Sequence, residues 1–278
     1  MEEIGISQQR DGDKAGEEYW TQFWKNFELP TPMNIHSSNV NEYPNRLLHR
    51  LFKKSFTGIT TNGKKLLEIG CGNSVFLTYF KKEFSFEVYG LDYSEFGCKQ
   101  TEKIFERDGI EGKIILGDAF NPPNDLIGQF DIVCSFGVVE HFEDTAGTME
   151  AFAKFLKPGG ILISSIPNMK GATGLLHKWL NRPVYDVHVP LDKHDMQVAI
   201  ERAGLLPLVN EYFLALSFAI TLEGRDGKKI PNYALKKFFV KTIRYTSKLV
   251  WIVENITHPL PAGKYLSGGV FTAAKKQE

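Results

Sequence analysis

From residue 65 onward, short apolar runs alternate with longer amphipathic stretches, and this alternation constrains the fold more than any other feature of the chain. The runs are KLLEIG (65–70), FEVYGLD (86–92), KIILGD (113–118), FDIVCSF (130–136) and GILISSIP (160–167). Between them lie SVFLTYFKKEF (74–84), SEFGCKQTEKIFERDG (94–109) and DTAGTMEAFAKFLKPGG (144–160), each opening near a Ser or Asp suited to capping a helix. Near-continuous apolar strands that alternate with helices are the mark of βαβ units and a parallel sheet buried on both faces. The expected fold class is therefore α/β: a doubly wound, mostly parallel sheet of seven strands with a helical cap.

The flanks supply the rest. In EEYWTQFWKNF (17–27), Trp20, Phe23, Trp24 and Phe27 fall on one helical face, and NEYPNRLLHRLFKKSF (41–56) reads as a second helix with Leu47, Leu48, Leu51 and Phe52 inward. Residues 169–190 read as irregular. A helix over 191–205, an apolar strand within 211–222, a long helix over 231–256 and a last strand over 265–276 complete the chain. The expected division is a lid of N-terminal helices (1–60), a core (61–222), a helical insertion (223–262) and a closing strand (263–278).

Lys plus Arg and Asp plus Glu number 33 each, which removes the overall positive field that nucleic-acid binding usually shows and leaves any charge preference local. Cys71, Cys98 and Cys134 show no C-x-x-C spacing and read as small buried hydrophobes of a reducing compartment. With no apolar signal segment and no run of membrane-spanning length, the expected location is the cytoplasm.

In LLEIGCGNS, Gly70 and Gly72 sit between a strand and a helix, with Asn73 or Ser74 as its expected cap. They permit a tight turn, close backbone approach by a ligand, and use of the unpaired N–H groups of the helix start. The dinucleotide fingerprint G-x-G-x-x-G is not matched, which argues against a nicotinamide cofactor. Asp92 ends the second run about 20 residues later, where a carboxylate can accept both hydroxyls of a ribose. Asp118, followed by Ala119 and Phe120, ends the third run and suits the edge and face of an adenine.

Taken together, Glu68-Ile-Gly70-Cys71-Gly72, Asp92, Gly117-Asp118-Ala119, Phe130-Asp131-Ile-Val and Leu156-Lys-Pro158-Gly159-Gly160 make the chain resemble a class I S-adenosylmethionine-dependent methyltransferase, close to the family that includes the ubiquinone-pathway O-methyltransferases. The resemblance covers residues 64–168. It implies S-adenosylmethionine as cofactor, with Glu68 and the backbone of Gly70, Cys71 and Gly72 at the methionine end. Asp92, with Tyr93 beside it, would hold the ribose. Asp118, Ala119 and Phe120 would hold the adenine, and Phe136 and Gly137 would border the methionyl part. Ser74 stands where the family usually has a third glycine.

VVEHF follows directly on the fourth run, at the carboxyl end of the sheet where ligands of such folds bind. His141 is placed there as a candidate general base for a hydroxyl nucleophile, with Glu140 orienting the ring or touching substrate. The pair could equally shape the loop and support the next helix. The expected reaction is methylation of a small molecule, at oxygen first, at nitrogen or carbon as the alternative, while a non-catalytic cofactor-binding subunit is the rival from a different class. Asn121-Pro-Pro-Asn124 reads as a loop. His177, His188 and His194 lack metal-ligand spacing and an accompanying carboxylate pair, so no metal is expected, and His188 is a candidate substrate contact. In the helix over 231–256, Lys237, Lys241, Arg244 and Lys248 stand opposite Leu235, Phe238, Phe239, Ile243, Leu249 and Ile252. Such a helix can pack its apolar side on the core with the basic side solvated, or meet an anionic membrane or substrate.

Overall fold

The computed structural model describes residues 12–222 and 231–278, so the first residues of the expected lid and of the expected insertion lie outside the described residues. Seven strands form one sheet: β1 (Lys65–Ile69), β2 (Glu87–Asp92), β3 (Lys113–Leu116), β4 (Phe130–Phe136), β5 (Leu156–Pro167), β6 (Leu205–Phe213) and β7 (Gly269–Lys276). Their order is β3-β2-β1-β4-β5-β7-β6. The first five are parallel, and β7 runs antiparallel between β5 and β6. The order reverses between β1 and β4, and a crevice must open there because the crossovers leave in opposite directions.

Helices α1 (Glu17–Lys25), α2 (Tyr43–Ser55), α3 (Phe76–Phe84), α4 (Glu95–Asp108) and α5 (Thr145–Ala153) precede β5, and α6 (Ala172–Leu180), α7 (Arg182–Asp186), α8 (Lys193–Arg202) and α9 (Tyr233–Ile256) follow it. Local chemistry sets several of the ends. Ser94 caps α4 by accepting from Gly97 N (3.2 Å), Asp144 caps α5 by accepting from Gly147 N (2.9 Å), and Asp192 and Asp195 form a reciprocal capping box on α8. Gly109 closes α4 in the left-handed conformation.

Because successive strand residues point to opposite faces, β1 feeds two cores. Leu67 and Ile69 join Val133, Leu162, Phe152 and Met196 beneath α5 and α8. Leu66 joins Ile132, Ile163 and a phenylalanine cluster of Phe52, Phe80 and Phe271 on the other face. Helix α2 belongs to that second core: Phe52 is fully buried, 4.8 Å from Phe80 and 5.6 Å from Phe271 between ring centroids.

Four local expectations are corrected. The sixth strand starts at Leu205 and stops at Phe213, well before residue 222, because Leu214 takes a left-handed conformation (φ 60°) that ends the ladder. Its Pro207 sits where the register with β7 shifts, on an edge strand that can do without that N–H. Residues 169–190 hold α6 and α7, with Pro183 in the first turn of α7. Helix α5 ends at Ala153, and Leu156–Gly160 already belongs to β5. Asn73 does not cap α3: it is left-handed (φ 57°), and the Ser74 hydroxyl accepts from Phe76 N (3.1 Å).

Candidate active site

At the reversal point, the ends of β1, β2, β3 and β4 enclose a cavity of about 340 Å³ whose wall is mostly apolar. Of the residues singled out in the sequence, Glu68, Gly70, Gly72, Asp92, Tyr93, Asp118, Ala119, Phe120, Phe136, Gly137 and His141 all line it. Cys71 and Glu140 do not, and neither does His188, the candidate substrate contact. The Cys71 thiol turns away into the core, where a Cβ added at Gly90 would come within 2.6 Å of its sulfur, and its carbonyl accepts from Thr101 Oγ1 (2.6 Å). Only its backbone belongs to the turn.

The turn after β1 is held from below and from the side. Gly70 has φ 74°, and a Cβ there would sit 2.5 Å from Val138 Cγ2. At Gly72 a Cβ would lie 2.9 Å from Asp92 Oδ2 and 3.1 Å from Trp24 Nε1, so the glycine lets these groups close on one another. Asp92 accepts from Gly72 N through Oδ2 and from Ser94 N through Oδ1, both at 2.8 Å. Its carboxylate therefore ties the first turn to the second before any ligand arrives. Burial pushes its pKa up to about 6, opposed by those backbone donors.

Glu68 is buried beside the same turn. Its Oε1 accepts from the Ser74 hydroxyl (2.7 Å), and its Oε2 has no partner among the described residues. Burial raises its pKa to about 8, the Ser74 hydrogen bond working against the rise and the Asp92 charge adding to it. Ser74, which departs from the family pattern, has a use: it positions the carboxyl group and starts α3.

Farther along the wall, Asp118 Oδ1 accepts from Phe120 N (2.9 Å), and the Phe120 ring packs against Phe142 at 4.8 Å. Phe136 lies 4.1 Å from Phe76. Helix α1 closes the front: Trp20 stacks on Trp24 (5.5 Å) and meets His141 edge-on (4.9 Å). The segment before it is pinned to the same loop, since Lys14 N donates to His141 O (2.9 Å) and Glu143 N to Gly12 O (3.0 Å). Pro30, Val138, Phe142 and Phe152 also line the cavity. Sequence reasoning missed these four because an apolar residue in a wall has the same pattern as one in the core.

His141 is buried, and its Nδ1 donates to Val187 O (2.7 Å), which leaves Nε2 as the lone-pair nitrogen. Burial drives its pKa down to about 3, His188 lowers it further, and the Val187 contact opposes. Glu140 is buried behind it with Oε2 unpartnered among the described residues, and burial pushes that carboxyl up to about 8. His188 arrives from the segment after α7: its ring lies 4.6 Å from His141, and its Nδ1 donates to Val184 O (2.6 Å). The sequence shows no carboxylate pair with His177, His188 and His194, and the structure brings one carboxylate, Glu140, close to His188. Glu140, His141 and His188 each offer a ligand atom within 4.8 Å of the others, a set that could hold a metal ion after a small contraction. His177 is spent on structure, bonding Thr173 O and receiving Thr221 N. His194 serves through its backbone, its N–H donating to the Asp192 cap.

These features fit S-adenosylmethionine. The orphaned Glu68 oxygen faces a site able to take an ammonium group, the glycine turn leaves room that any Cβ would fill, and Asp92 keeps lone pairs beyond its two backbone donors.

Comparison with known proteins agrees. The chain is 30% identical to the ubiquinone biosynthesis O-methyltransferase of Escherichia coli O9:H4 (strain HS) over 154 residues, 54% of this chain and 61% of that protein. The corresponding enzyme of Salmonella newport (strain SL254) is 30% identical over 157 residues, 55% of this chain and 62% of its own. The match thus spans about six tenths of the length of these relatives. Among solved structures, phosphoethanolamine N-methyltransferase 2 of Haemonchus contortus, in complex with S-adenosyl-L-methionine, superposes with a TM-score of 0.58 at 14% identity, covering 99% of this chain and 61% of that one. The [4+2]-cyclase SpnF superposes with a TM-score of 0.54 at 15% identity over 83% of this chain and 80% of its own. At such identities the likeness concerns the fold alone. A model of the methyltransferase domain matches residues 36–208, most of the chain and nearly all of the cavity wall, and the chain belongs to that methyltransferase family.

Proposed function

We propose that the protein transfers a methyl group from S-adenosylmethionine to a small molecule, at an oxygen atom, with His141 receiving the acceptor's proton. The observation that carries the reading is the state of His141: neutral across the physiological range, with Nδ1 committed to Val187 O and Nε2 left with its lone pair, in a side chain that lines the cavity. The names of the curated relatives support oxygen as the acceptor atom.

When bound, the cofactor supplies an electrophilic methyl carbon. As the sulfonium gave up that carbon to the acceptor oxygen and left as a neutral thioether, Nε2 of His141 would take the hydroxyl proton. The protein's part is to align and to keep water out. The turn at Gly70–Gly72, Asp92 and Glu68 fix one partner, and Trp20, Phe136 and Phe142 wall off the other from solvent. A base with a pKa near 3 is weak, so it takes the proton only as the oxygen loses it to bond formation. Ionisation of the Glu140 carboxyl behind it would steady the imidazolium that results. Helix α1, which seats Trp20 on His141, acts as the lid.

The test is transfer of labelled methyl to a panel of phenols, amines and carbon acids, with His141→Ala alongside. The expected result is turnover on a hydroxyl acceptor, a kcat that falls by about 10²–10⁴ in the variant, and unchanged affinity for S-adenosylhomocysteine. Equal turnover in the variant would remove His141 from the chemistry. Methylation of an amine would move the assignment to nitrogen, and cofactor binding without turnover on any acceptor would favour a binding subunit.

A further inference from the structure

The long helix α9 is oriented differently from what its periodicity suggests. Its inward stripe consists of Phe239, Val240, Ile243, Ser247 and Glu254, and Trp251 reaches Leu216 O through its indole N–H (2.9 Å). Its outward face carries Leu235 (70% exposed), Phe238 (71%), Tyr245 (63%), Leu249, Ile252 and Ile256 (77%). The expectation that Leu235, Phe238, Leu249 and Ile252 face the core opposite the lysines is thus corrected: apolar and basic side chains share the solvent side. Helix α6 extends the surface, with Leu175 and Trp179 both about two-thirds exposed and Trp179 edge-on to Phe239 at 5.6 Å.

Among the described residues, the exposed charge on α6 and α9 has one sign. Helices α6 and α9 carry Lys178, Lys236, Lys237, Lys241, Arg244 and Lys248 against a single carboxylate, Glu254, which is buried. Among the described residues Lys237, Lys241 and Lys248 form no ion pair, and on neighbouring α7 Asp186 is already paired with Arg182 (2.6 Å). Leu235, Phe238, Thr242, Tyr245, Leu249, Ile252 and Ile256 recur at alternating steps of three and four, the spacing of a coiled-coil seam. A second copy of α9 is nevertheless a poor partner. The flanking positions are Lys241 and Lys248 on one side and Phe239, Thr246 and Val253 on the other, so no carboxylate would answer the lysines.

We infer that the outward face of α9, extended by α6, docks on an anionic lipid surface. Leu, Phe, Trp and Tyr side chains along about 36 Å of helix would enter the boundary between headgroups and acyl chains, while the lysines reach out to lipid phosphates. No helix among the described residues is long and apolar enough to cross a membrane, so the contact lies on the surface. The same elements lead to the cavity: α6 leaves the carboxyl end of β5, and the segment after α7 delivers His188 to His141. An acceptor dissolved in lipid would thus enter from the docked side. Docking itself is independent of the acceptor's identity and of the chemistry proposed above.

The test is co-sedimentation of the full chain with vesicles of phosphatidylcholine alone and of phosphatidylcholine with phosphatidylglycerol, at low and high salt. Two variants accompany it: Phe238→Glu with Ile256→Glu, and Lys237→Gln with Lys241→Gln and Lys248→Gln. All five side chains are exposed or nearly so, so each variant should keep the melting temperature of the parent. The expected result is binding to the anionic vesicles only, weakened at least tenfold by the first variant and severalfold by high salt or the second. Three outcomes would overturn the inference: no binding to anionic vesicles, binding indifferent to lipid charge, or a dimer in sedimentation analysis that Phe238→Glu dissociates while vesicle binding is absent.

Discussion

With Glu68 as the proposed seat of the cofactor's ammonium group, cofactor binding should release a proton. Burial holds the Glu68 carboxyl at a pKa of about 8, so at pH 7 it is about 0.9 protonated, since a group one unit below its pKa is ten parts acid to one part base. The ammonium of S-adenosylhomocysteine, set beside the partnerless Oε2, favours the ionised form. Binding at pH 7 should therefore release close to one proton. Because the released proton must be paid for at each pH, affinity should rise by about 50-fold from pH 6 to pH 8 and level off above it, before the ligand's own amine begins to titrate. Calorimetric titration in phosphate and in Tris measures this directly: the observed enthalpies differ by the number of protons released times the difference in buffer ionisation enthalpy. Glu68→Gln keeps the Oε1 that Ser74 uses and removes the proton, so it should abolish the buffer dependence and flatten the pH profile. Identical enthalpies in the two buffers for the parent, or an undiminished release in the variant, would refute the assignment of Glu68 to the ammonium.

Three further outcomes follow from the geometry. Asp92→Ala strips acceptors from Gly72 N and Ser94 N, and at about 1.5–3 kcal/mol per charge-assisted bond the variant should lose about 3 kcal/mol or more in urea unfolding even without ligand, as well as cofactor affinity; unchanged stability would show that the tie between the two turns is absent. Gly70→Ala, at φ 74° and with its Cβ 2.5 Å from Val138 Cγ2, should cost about 2–3 kcal/mol, and pairing it with Val138→Ala should recover the steric part in a double-mutant cycle. Between about pH 7.5 and 8.5, Glu68 and Glu140 keep protons in the folded state that the unfolded chain, at about 4.5, has already released, while the imidazoles of His141 and His177, at about 6.5 when unfolded, are almost wholly neutral in both states. Stability should thus fall as pH rises through that window, by about 1–2 kcal/mol per unit; a urea midpoint that stays level or rises would contradict the buried, neutral carboxyls.

Much of the fold was legible because its signals are local. A parallel strand buried on both faces is a run of apolar residues, a capped helix begins at Ser94 or Asp144, and a turn that must admit a ligand needs Gly70 and Gly72, whatever the rest of the chain does. The wall residues at the strand ends could be read in register for the same reason, since the order of strands in a doubly wound sheet fixes where their carboxyl ends meet. The errors lie where local signals are silent. Residues 169–190 read as irregular because α6 and α7 are short and take their stability from packing rather than from periodicity.

Three things were decided only by the tertiary structure. Long-range packing brings His188 to Glu140 and His141, and removal from water, which no spacing encodes, drives the Glu140 and His141 pKa values in opposite directions. Helix α1 becomes part of the cavity because Gly12 and Lys14 bond to the loop after β4, a pairing between distant backbones. And the helical period of α9 told that it has distinct sides, but which side meets the protein depends on what it lands on: Leu180, Ile220 and Leu222 take Val240 and Ile243, and leave Leu235, Phe238 and Ile256 with the lysines in water.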